Sequence, residues 1–452
     1  MIHYGNSSGV RAAGERLSLA VVGGGIAGIA SALALADSGK FAVTLFEKDA
    51  RLGGLCSFYY WQDVVCDRFY HVLLPSDFHT LQFLRQVVPD NRVVWRESRS
   101  GFFGENRLVS FSSARDFLRF PFLNLWEKFR LGSGILYSSR LRSSRKFKME
   151  TAEQWLSRVF GKGVYENFWA PLLRSKLGEA TQSTSASFIW TTIHRLNRAR
   201  SRASRREHMG YIEGGYASVI NAARKKLSDL GVHVRTGTTV EDVKPHGSKI
   251  RLATQSDSVM FDRILLAIPA PEIKKILDGT NGRAGWSWLE ETEYLGIVSL
   301  LLILRRRLSP YYVINLLDRA LPFTGVIETT NVIPPESFGG RHLVYLPKYV
   351  TTGDPLNAAS ADRITEDFTK NLKKIFPDLK DEDILHRQVF RERFVQSLPR
   401  RLPFKDAPGI RTPLSGVYVA SASLVENSTL NNNAVLQVVE EAVRIISADS
   451  RG

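Results

Sequence analysis

Three glycines, Gly23, Gly25 and Gly28, stand between an apolar run and a helix-patterned run, and that arrangement leaves few folds open. Leu19 to Val22 reads as a buried strand. Ile26, Ile29, Ala30, Leu33 and Ala36 then recur at helical spacing. After Gly39 comes a second strand, Phe41 to Phe46, closed by Glu47. G-x-G-x-x-G inside a strand–turn–helix–strand unit is a dinucleotide-binding pattern. The first glycine makes the tight turn, the second lets a pyrophosphate approach the backbone, and the third lets the helix sit close on the strand. The helix start at Ile26 and Ala27 offers free N–H groups and the positive end of a dipole to the phosphates. Glu47 falls about 20 residues on, where an acid grips a ribose hydroxyl.

A second glycine pair follows at once. Lys48, Arg51, Gly53, Gly54 and Leu55 place basic side chains and bare backbone just after the second strand. That suits a second pass of chain beside a long diphosphate cofactor.

The chain has 452 residues, enough for two or three domains. Two cysteines, Cys56 and Cys66, make neither a disulfide framework nor a metal site alone. The nine histidines are scattered, so no metal is expected. The start, residues 1–17, lacks an apolar core of signal-peptide length and reads as a disordered lead-in. The longest apolar run, Tyr294 to Leu304, is far short of the ~20 residues that span a bilayer. These features predict a cytoplasmic protein without a transmembrane helix.

The net charge of +16 is concentrated in two segments. Residues 115–148 mix bulky apolar side chains with nine basic residues against two acids. The run "HRLNRARSRASRRE" carries Arg195, Arg198, Arg200, Arg202, Arg205 and Arg206. No nucleic-acid module is visible. Phe117, Leu118, Phe120, Phe122, Leu123, Leu125 and Trp126 among basic residues read either as an interfacial patch on an anionic membrane or as a half-buried helix pair. The first reading would put the protein on the inner face of the membrane as a peripheral protein.

Along the chain, 18–90, 206–272 and 396–452 read as one discontinuous nucleotide-binding domain. Residues 91–205, mainly helical, and 273–395 read as an interleaved domain for substrate. Thr151 with Gln154 is a capping-box start. Pro171 breaks or restarts a helix, Gly247 marks a hairpin, and a helix is expected from about Ala361 to Ile375. A strand at Val417 to Ala420 is expected to close the sheet begun at Leu19.

Together, E-x-x-x-R-x-G-G at Glu47 to Gly54, "HVRTGTTVEDV…FDRILLAIPAP" and "MGYIEGGYASVINAARKKL" resemble the flavin-containing amine oxidase superfamily, on its protoporphyrinogen oxidase and phytoene desaturase branch. The resemblance covers most of the chain. It implies an α/β fold, with a Rossmann-like FAD-binding domain of the GR2 type and an interleaved α+β substrate domain. The cofactor implied is FAD, with Val240 meeting the adenine through its backbone and Asn433, Ala434 and Val435 contacting the flavin end. One departure is plain. The family often carries Gly-Asp after the final strand, and here Ser421 and Ala422 stand in that place.

In such a fold the flavin does the hard chemistry and the protein supplies orientation and electrostatics. Tyr70 and His71, in "DRFYH", fall near the flavin edge by resemblance, and His71 reads as a proton-handling or a backbone-bonded group. Tyr211 sits where the chain returns to the nucleotide domain. Nearby, Glu213 is an acid–base group or a turn carboxylate. Trp169, Arg174, Lys176, Asn331, Arg393 and Gln396 are the candidate substrate contacts. The leading expectation is hydride transfer between flavin and a largely apolar, isoprenoid or lipid-linked substrate, with oxygen, quinone or another acceptor taking the electrons. The alternatives are a sugar-nucleotide mutase using reduced flavin without net redox, and a non-catalytic scaffold at a membrane surface.

Overall fold

The computed structural model of the chain describes residues 16–88, 92–143, 147, 149–198, 207–277, 285–398, 408–425 and 431–450. Most of the expected lead-in, and Arg200, Arg202, Arg205 and Arg206, lie outside the described residues.

Five parallel strands form the first sheet, in the order Val417–Val419, Arg263–Leu266, Leu17–Val22, Phe41–Phe46, His233–Arg235. They come from three remote stretches of chain, and Val417–Val419 closes one edge as its sequence position implied. The first strand starts at Leu17, inside the expected lead-in, because Leu17 already pairs with Phe41. Helices Ile26–Asp37, Gly215–Asp229 and Asn432–Asp449 bury their apolar faces on one side of this sheet. The antiparallel meander Val240–His246, Lys249–Thr254, Ser258–Phe261 and the helix Ala270–Leu277 cover the other. A sheet covered on both faces explains why its strands read as continuous apolar runs.

The second sheet has seven strands, ordered Ile384–Ser397, Tyr294–Leu304, His342–Val350, Gly325–Glu328, Val313–Leu316, Ser100–Gly104, Arg107–Ser110. Tyr294–Leu304 is buried along its whole length and pairs antiparallel with a neighbour on each side. The longest apolar run is thus a core strand. Among the described residues no helix is long and apolar enough to cross a membrane. Helix Ala361–Ile375 packs on one face of this sheet through Ile364, Phe368 and Leu372.

The described part of 91–205 is mainly helical, as expected, and adds three short strands that composition did not show. Val93–Glu97 pairs with His208–Ile212, and Ser100–Gly104 with Arg107–Ser110 extend the second sheet. The hairpin turns at Glu105 and Asn106, with φ of 49° and 56°. A two-residue turn with both φ positive matches strand twist, and Asn tolerates that conformation. The remainder is helical: Leu125–Arg140, Ala152–Phe160, Ala170–Leu177 and Ala186–Arg198 surround an aromatic core of Phe102, Phe120, Trp155, Phe160 and Phe168. Thr151 and Gln154 form the capping box their spacing called for, and Pro171 sits in the first turn of Ala170–Leu177.

Gly134 lets Leu125–Arg140 approach this core. A Cβ on it would lie 2.4 Å from Phe160 Cδ1. Gly134→Ala is expected to cost about 1–3 kcal/mol through overpacking, read as a lower midpoint in denaturant melts. An unchanged midpoint would mean that Phe160 can swing aside.

Candidate active site

The two glycine runs pack backbone against backbone. Gly53 N–H donates to Gly24 O at 2.8 Å, and Gly25 bridges Gly53 in parallel register. Gly23 has φ of 107°, open only to glycine at low cost, and its turn brings the chain off the strand. No atom lies within 4 Å of where a Cβ on Gly25 would stand. That opening is the lip of a cavity running past Gly23, Gly25, Glu47, Gly54, Val240 and Ser421. Ile26, Ala27, Lys48, Gly53, Leu55 and Val435 also line it. A bare-backbone cradle beside a helix start, with a buried acid at its far side, fits a dinucleotide.

Glu47 is almost fully buried. Its Oε2 accepts from Gly24 N–H at 2.6 Å and its Oε1 from Asp49 N–H at 2.9 Å. Burial raises its pKa, and those two amides work against the rise. Each carboxylate oxygen keeps a lone pair for a ribose hydroxyl. Ser421 and Ala422, which stand where the resemblance implies Gly-Asp, line the cavity with Asn432 from the last helix.

Three of the expected cofactor residues, apart from the supporting Gly28, face elsewhere. Arg51 lies over the Tyr60 ring at 5.5 Å and borders a separate surface pocket, because the chain turns outward before Gly53. Asn433 Oδ1 accepts from His79 N–H at 2.8 Å, holding the start of Phe78–Val87, and with Ala434 it borders a second cavity. Within that first helical turn it is Asn432 and Val435 that reach the cofactor cavity.

A polar cluster closes the inner wall at Cys56 and Asn432, which both line the cavity. Asn432 Nδ2 donates to Tyr216 OH at 2.7 Å and to Cys56 Sγ at 3.4 Å. Cys56 Sγ lies 3.8 Å from His71 Nε2, and His71 Nδ1 lies 3.6 Å from Asp67 Oδ2. Asp67 Oδ1 accepts from Tyr216 N–H at 3.0 Å. Burial works against a charge on His71, but the adjoining Cys56 and Asp67 outweigh it and raise its pKa to about 10. With that pKa the imidazole carries its proton at neutral pH, and its Nδ1 is buried without a hydrogen-bond partner.

Beside Asp67 lies an aromatic cluster. Tyr345 OH donates to Asp67 O at 2.6 Å, and the Tyr70 and Tyr349 hydroxyls lie 3.3 Å apart. Lys176 Nζ sits 5.5 Å from the Tyr349 ring and 5.7 Å from that of Phe188. Burial pushes Tyr70, Tyr216 and Tyr345 well above the ordinary phenol range, so all three remain protonated donors. Tyr349 thus joins Tyr70 to Lys176, and His71 stands behind Cys56, the residue of this group that lines the cavity. Sequence reasoning missed Cys56, Asp67, Tyr216, Tyr345, Tyr349 and Asn432. An Asp one helical turn before a candidate His, at Asp67 and His71, was the available signal.

Of the other candidates, Tyr211 shares a core cluster with Tyr345, and none lines the cofactor cavity. Tyr211 is buried in His208–Ile212, paired with Val94. Trp169 packs edge-on against Phe160 and Phe168. Arg174 is exposed. Asn331 Nδ2 donates to Tyr311 O at 2.6 Å. Arg393 lies over its neighbour Phe394, while Glu392, Phe394 and Val395 are the strand residues that line the cofactor cavity. Gln396 is buried, its Nε2 without a hydrogen-bond partner. The second cavity encloses about 780 Å³ and is lined by Asp77, Arg140, Trp190, His194, Arg195 and Asn433, among others. Arg195 Nη2 pairs with Asp77 Oδ2 at 3.1 Å there.

Comparison with known proteins agrees with this geometry. The sequence model of the family described as flavin containing amine oxidoreductase matches residues 26–446. The chain is 21% identical to zeta-carotene desaturase of Synechocystis sp., over 94% of this chain and 97% of that protein. A solved structure of a putative protoporphyrinogen oxidase from Exiguobacterium sp. 255-15 superposes with a TM-score of 0.73 at 16% identity, covering 97% of this chain and 99% of that one. A reduced UDP-galactopyranose mutase superposes with a TM-score of 0.71 at 14% identity, covering 96% and 94%. At such identities the two solved structures establish likeness of fold alone.

Proposed function

This chain belongs to the flavin-containing amine oxidoreductases and is an FAD-dependent oxidoreductase, and from that premise we propose that its substrate is a largely apolar, isoprenoid or lipid-linked molecule. In this reading 18–90, 206–272 and 396–452 hold the cofactor, and 91–205 with 273–395 face the substrate. The protein would work in the cytoplasm, meeting its substrate at the inner face of a membrane.

The observation that carries the reading is the aromatic cluster behind the cavity-lining Cys56. Tyr70, Tyr345 and Tyr349 stand beside the His71–Asp67 pair, and among the described residues Lys176 is the cation lying over Tyr349. A protonated amine substrate would seek the same aromatic faces and meet a like charge there. An apolar chain meets no such opposition. The desaturase relative is consistent with the same substrate class.

Bound FAD supplies a hydride acceptor or donor. The residues do the rest. Gly23, Gly25 and Glu47 hold the nucleotide end. Tyr70 and Tyr349 orient the substrate by ring contact and hydroxyl. His71, kept protonated by Cys56 and Asp67, holds a proton at the cavity wall and favours negative charge that develops beside it. Burial of the wall excludes water.

The test is anaerobic mixing of the holoprotein with isoprenoid lipids, soluble amines and sugar nucleotides while the visible flavin absorption is followed. Bleaching by an isoprenoid or lipid and by no amine is the expected result. Bleaching by amines alone would overturn the substrate class. A second reading has one fold-level observation behind it, the likeness to the reduced mutase. Conversion of a sugar nucleotide by prereduced protein, with no net electron consumption, would replace the first reading with that one.

A further inference from the structure

We propose that the outer face of helices Ala114–Arg119 and Leu125–Arg140 is a docking surface for an anionic lipid bilayer, and that it sets the mouth of the second cavity against the lipid. Large apolar side chains are exposed here in unusual density. Leu125 is 81% exposed, Trp126 and Leu118 65%, Phe129 63%, with Leu136 and Tyr137 half open. Trp126, Phe129, Ser133 and Leu136 recur at three- and four-residue steps, so they share one stripe of the helix. The inward stripe is a different one, carrying Glu127, Leu131, Gly134 and Ser138. Trp126 and Phe129 stack at 5.5 Å in the open. Lys128 Nζ donates to Leu118 O at 2.8 Å and so links the two helices.

The charge on this face selects the partner. Between residues 114 and 142 the only acids are Asp116 and Glu127. Both are held by hydrogen bonds. Asp116 accepts from Ser110 Oγ at 2.7 Å and from Ser112 N–H at 2.9 Å, and completes a capping box with Ser113. Glu127 is buried, bonded to Asn124 N–H and Asn167 Nδ2. Arg115, Arg119, Arg140 and Arg142 stay exposed. The exposed side chains here are mainly aromatic, aliphatic and cationic, with Asp116 the one half-exposed acid of this stretch, on a chain of net charge +16. An aromatic–aliphatic stripe rimmed by basic residues matches the acyl boundary and headgroups of an anionic bilayer.

The last turn of the same helix gives the surface its use. Arg140, Leu141 and Arg142 line the second cavity, whose opposite lip carries Asp77 beside the exposed Phe78. The far wall is the first turn of the last helix, where Asn433 faces this cavity and Asn432 the cofactor cavity. Docking stands on the surface alone. Passage of a lipid through that mouth rests on the substrate reading above.

The experiment is flotation of the holoprotein with vesicles of phosphatidylcholine alone and of phosphatidylcholine mixed with phosphatidylglycerol. Binding to the mixed vesicles, weakened by salt, is expected. The double variant Trp126→Glu/Phe129→Glu should lose at least about tenfold in vesicle affinity with its flavin spectrum unchanged, and Arg115→Ser/Arg119→Ser should lose mainly the salt-sensitive part. If the flavin spectrum of the Glu variant changes, the Ser variant carries the test. Wild-type protein that ignores both vesicles, or vesicle binding equal in wild type and variants, would overturn the proposal. So would a dimer that the Glu variant dissociates while lipid has no effect, since the face would then belong to a second copy. No substrate is needed, so flavin inert to every lipid alongside vesicle binding would count against the substrate reading only.

Discussion

Gly28→Ala is expected to leave the chain without FAD. The new Cβ would stand 1.7 Å from Gly23 O and 2.9 Å from Gly23 C, both fixed backbone atoms. Relief requires the helix Ile26–Asp37 to lift from its strand or the Gly23 turn to open. Either movement deforms the cavity whose lip is Gly25. Overpacking of a core typically costs about 1–3 kcal/mol, and here no flexible side chain can give way. Gly25→Ala is the control. Its Cβ would meet nothing within 4 Å, and its φ of −73° suits any residue. That variant should keep its apoprotein stability within about 0.5 kcal/mol and yet bind FAD more weakly, because the methyl group occupies the cofactor's approach. Flavin retained through gel filtration and denaturant melts of both apoproteins separate the two effects. A Gly28→Ala protein with full flavin and a normal melt would show that the close approach is not needed.

That contrast shows why part of this molecule was legible from residues alone. The strand–turn–helix–strand unit is local: its glycines, apolar periods and Glu47 all lie within one short stretch, and backbone sterics fix what each can do. The capping box at Thr151 and the helix Ala361–Ile375 were readable for the same reason. Val93–Glu97 and Ser100–Gly104 were not. Their partners are His208–Ile212 and Val313–Leu316, over one hundred residues away. Basic and aromatic composition pointed to helices, and tertiary pairing overrode it.

The inner wall was less legible still, because it is assembled from five separated segments. Cys56 comes from the glycine loop, Asp67 and His71 from the next hairpin and its exit, Tyr216 from a helix start. Tyr345 and Tyr349 come from a strand of the second sheet, and Asn432 from the last helix. No spacing rule connects them. Tyr70, His71 and Lys176 could be singled out as side chains able to do chemistry, but Tyr349, the residue that joins Tyr70 to Lys176, sits in an ordinary strand pattern. Arg51 misled in the opposite sense. Its motif position is familiar, yet its guanidinium is spent on Tyr60.

His71→Gln is expected to remove a pH-dependent part of the stability. The folded chain holds the imidazolium more tightly than the unfolded chain does, with its pKa raised from 6.5 to about 10. Burial alone would have moved it the other way, so the rise reports the attraction of Cys56 and Asp67. A group whose pKa is higher in the folded state contributes fully below its unfolded value and loses that contribution as pH climbs through the folded one. The stability difference between wild type and His71→Gln should therefore be largest at or below pH 6.5, about 3 kcal/mol, and should fade as pH rises toward about 10. Taking the difference cancels other groups that titrate at high pH. Cys56→Ser should shrink the same window, because it removes the sulfur that lies 3.8 Å from Nε2. Denaturant melts of the three proteins across that range are the measurement. A difference that stays flat with pH would mean that His71 is neutral in the fold, and the proton it is assigned at the cavity wall would have to come from one of the buried phenols instead.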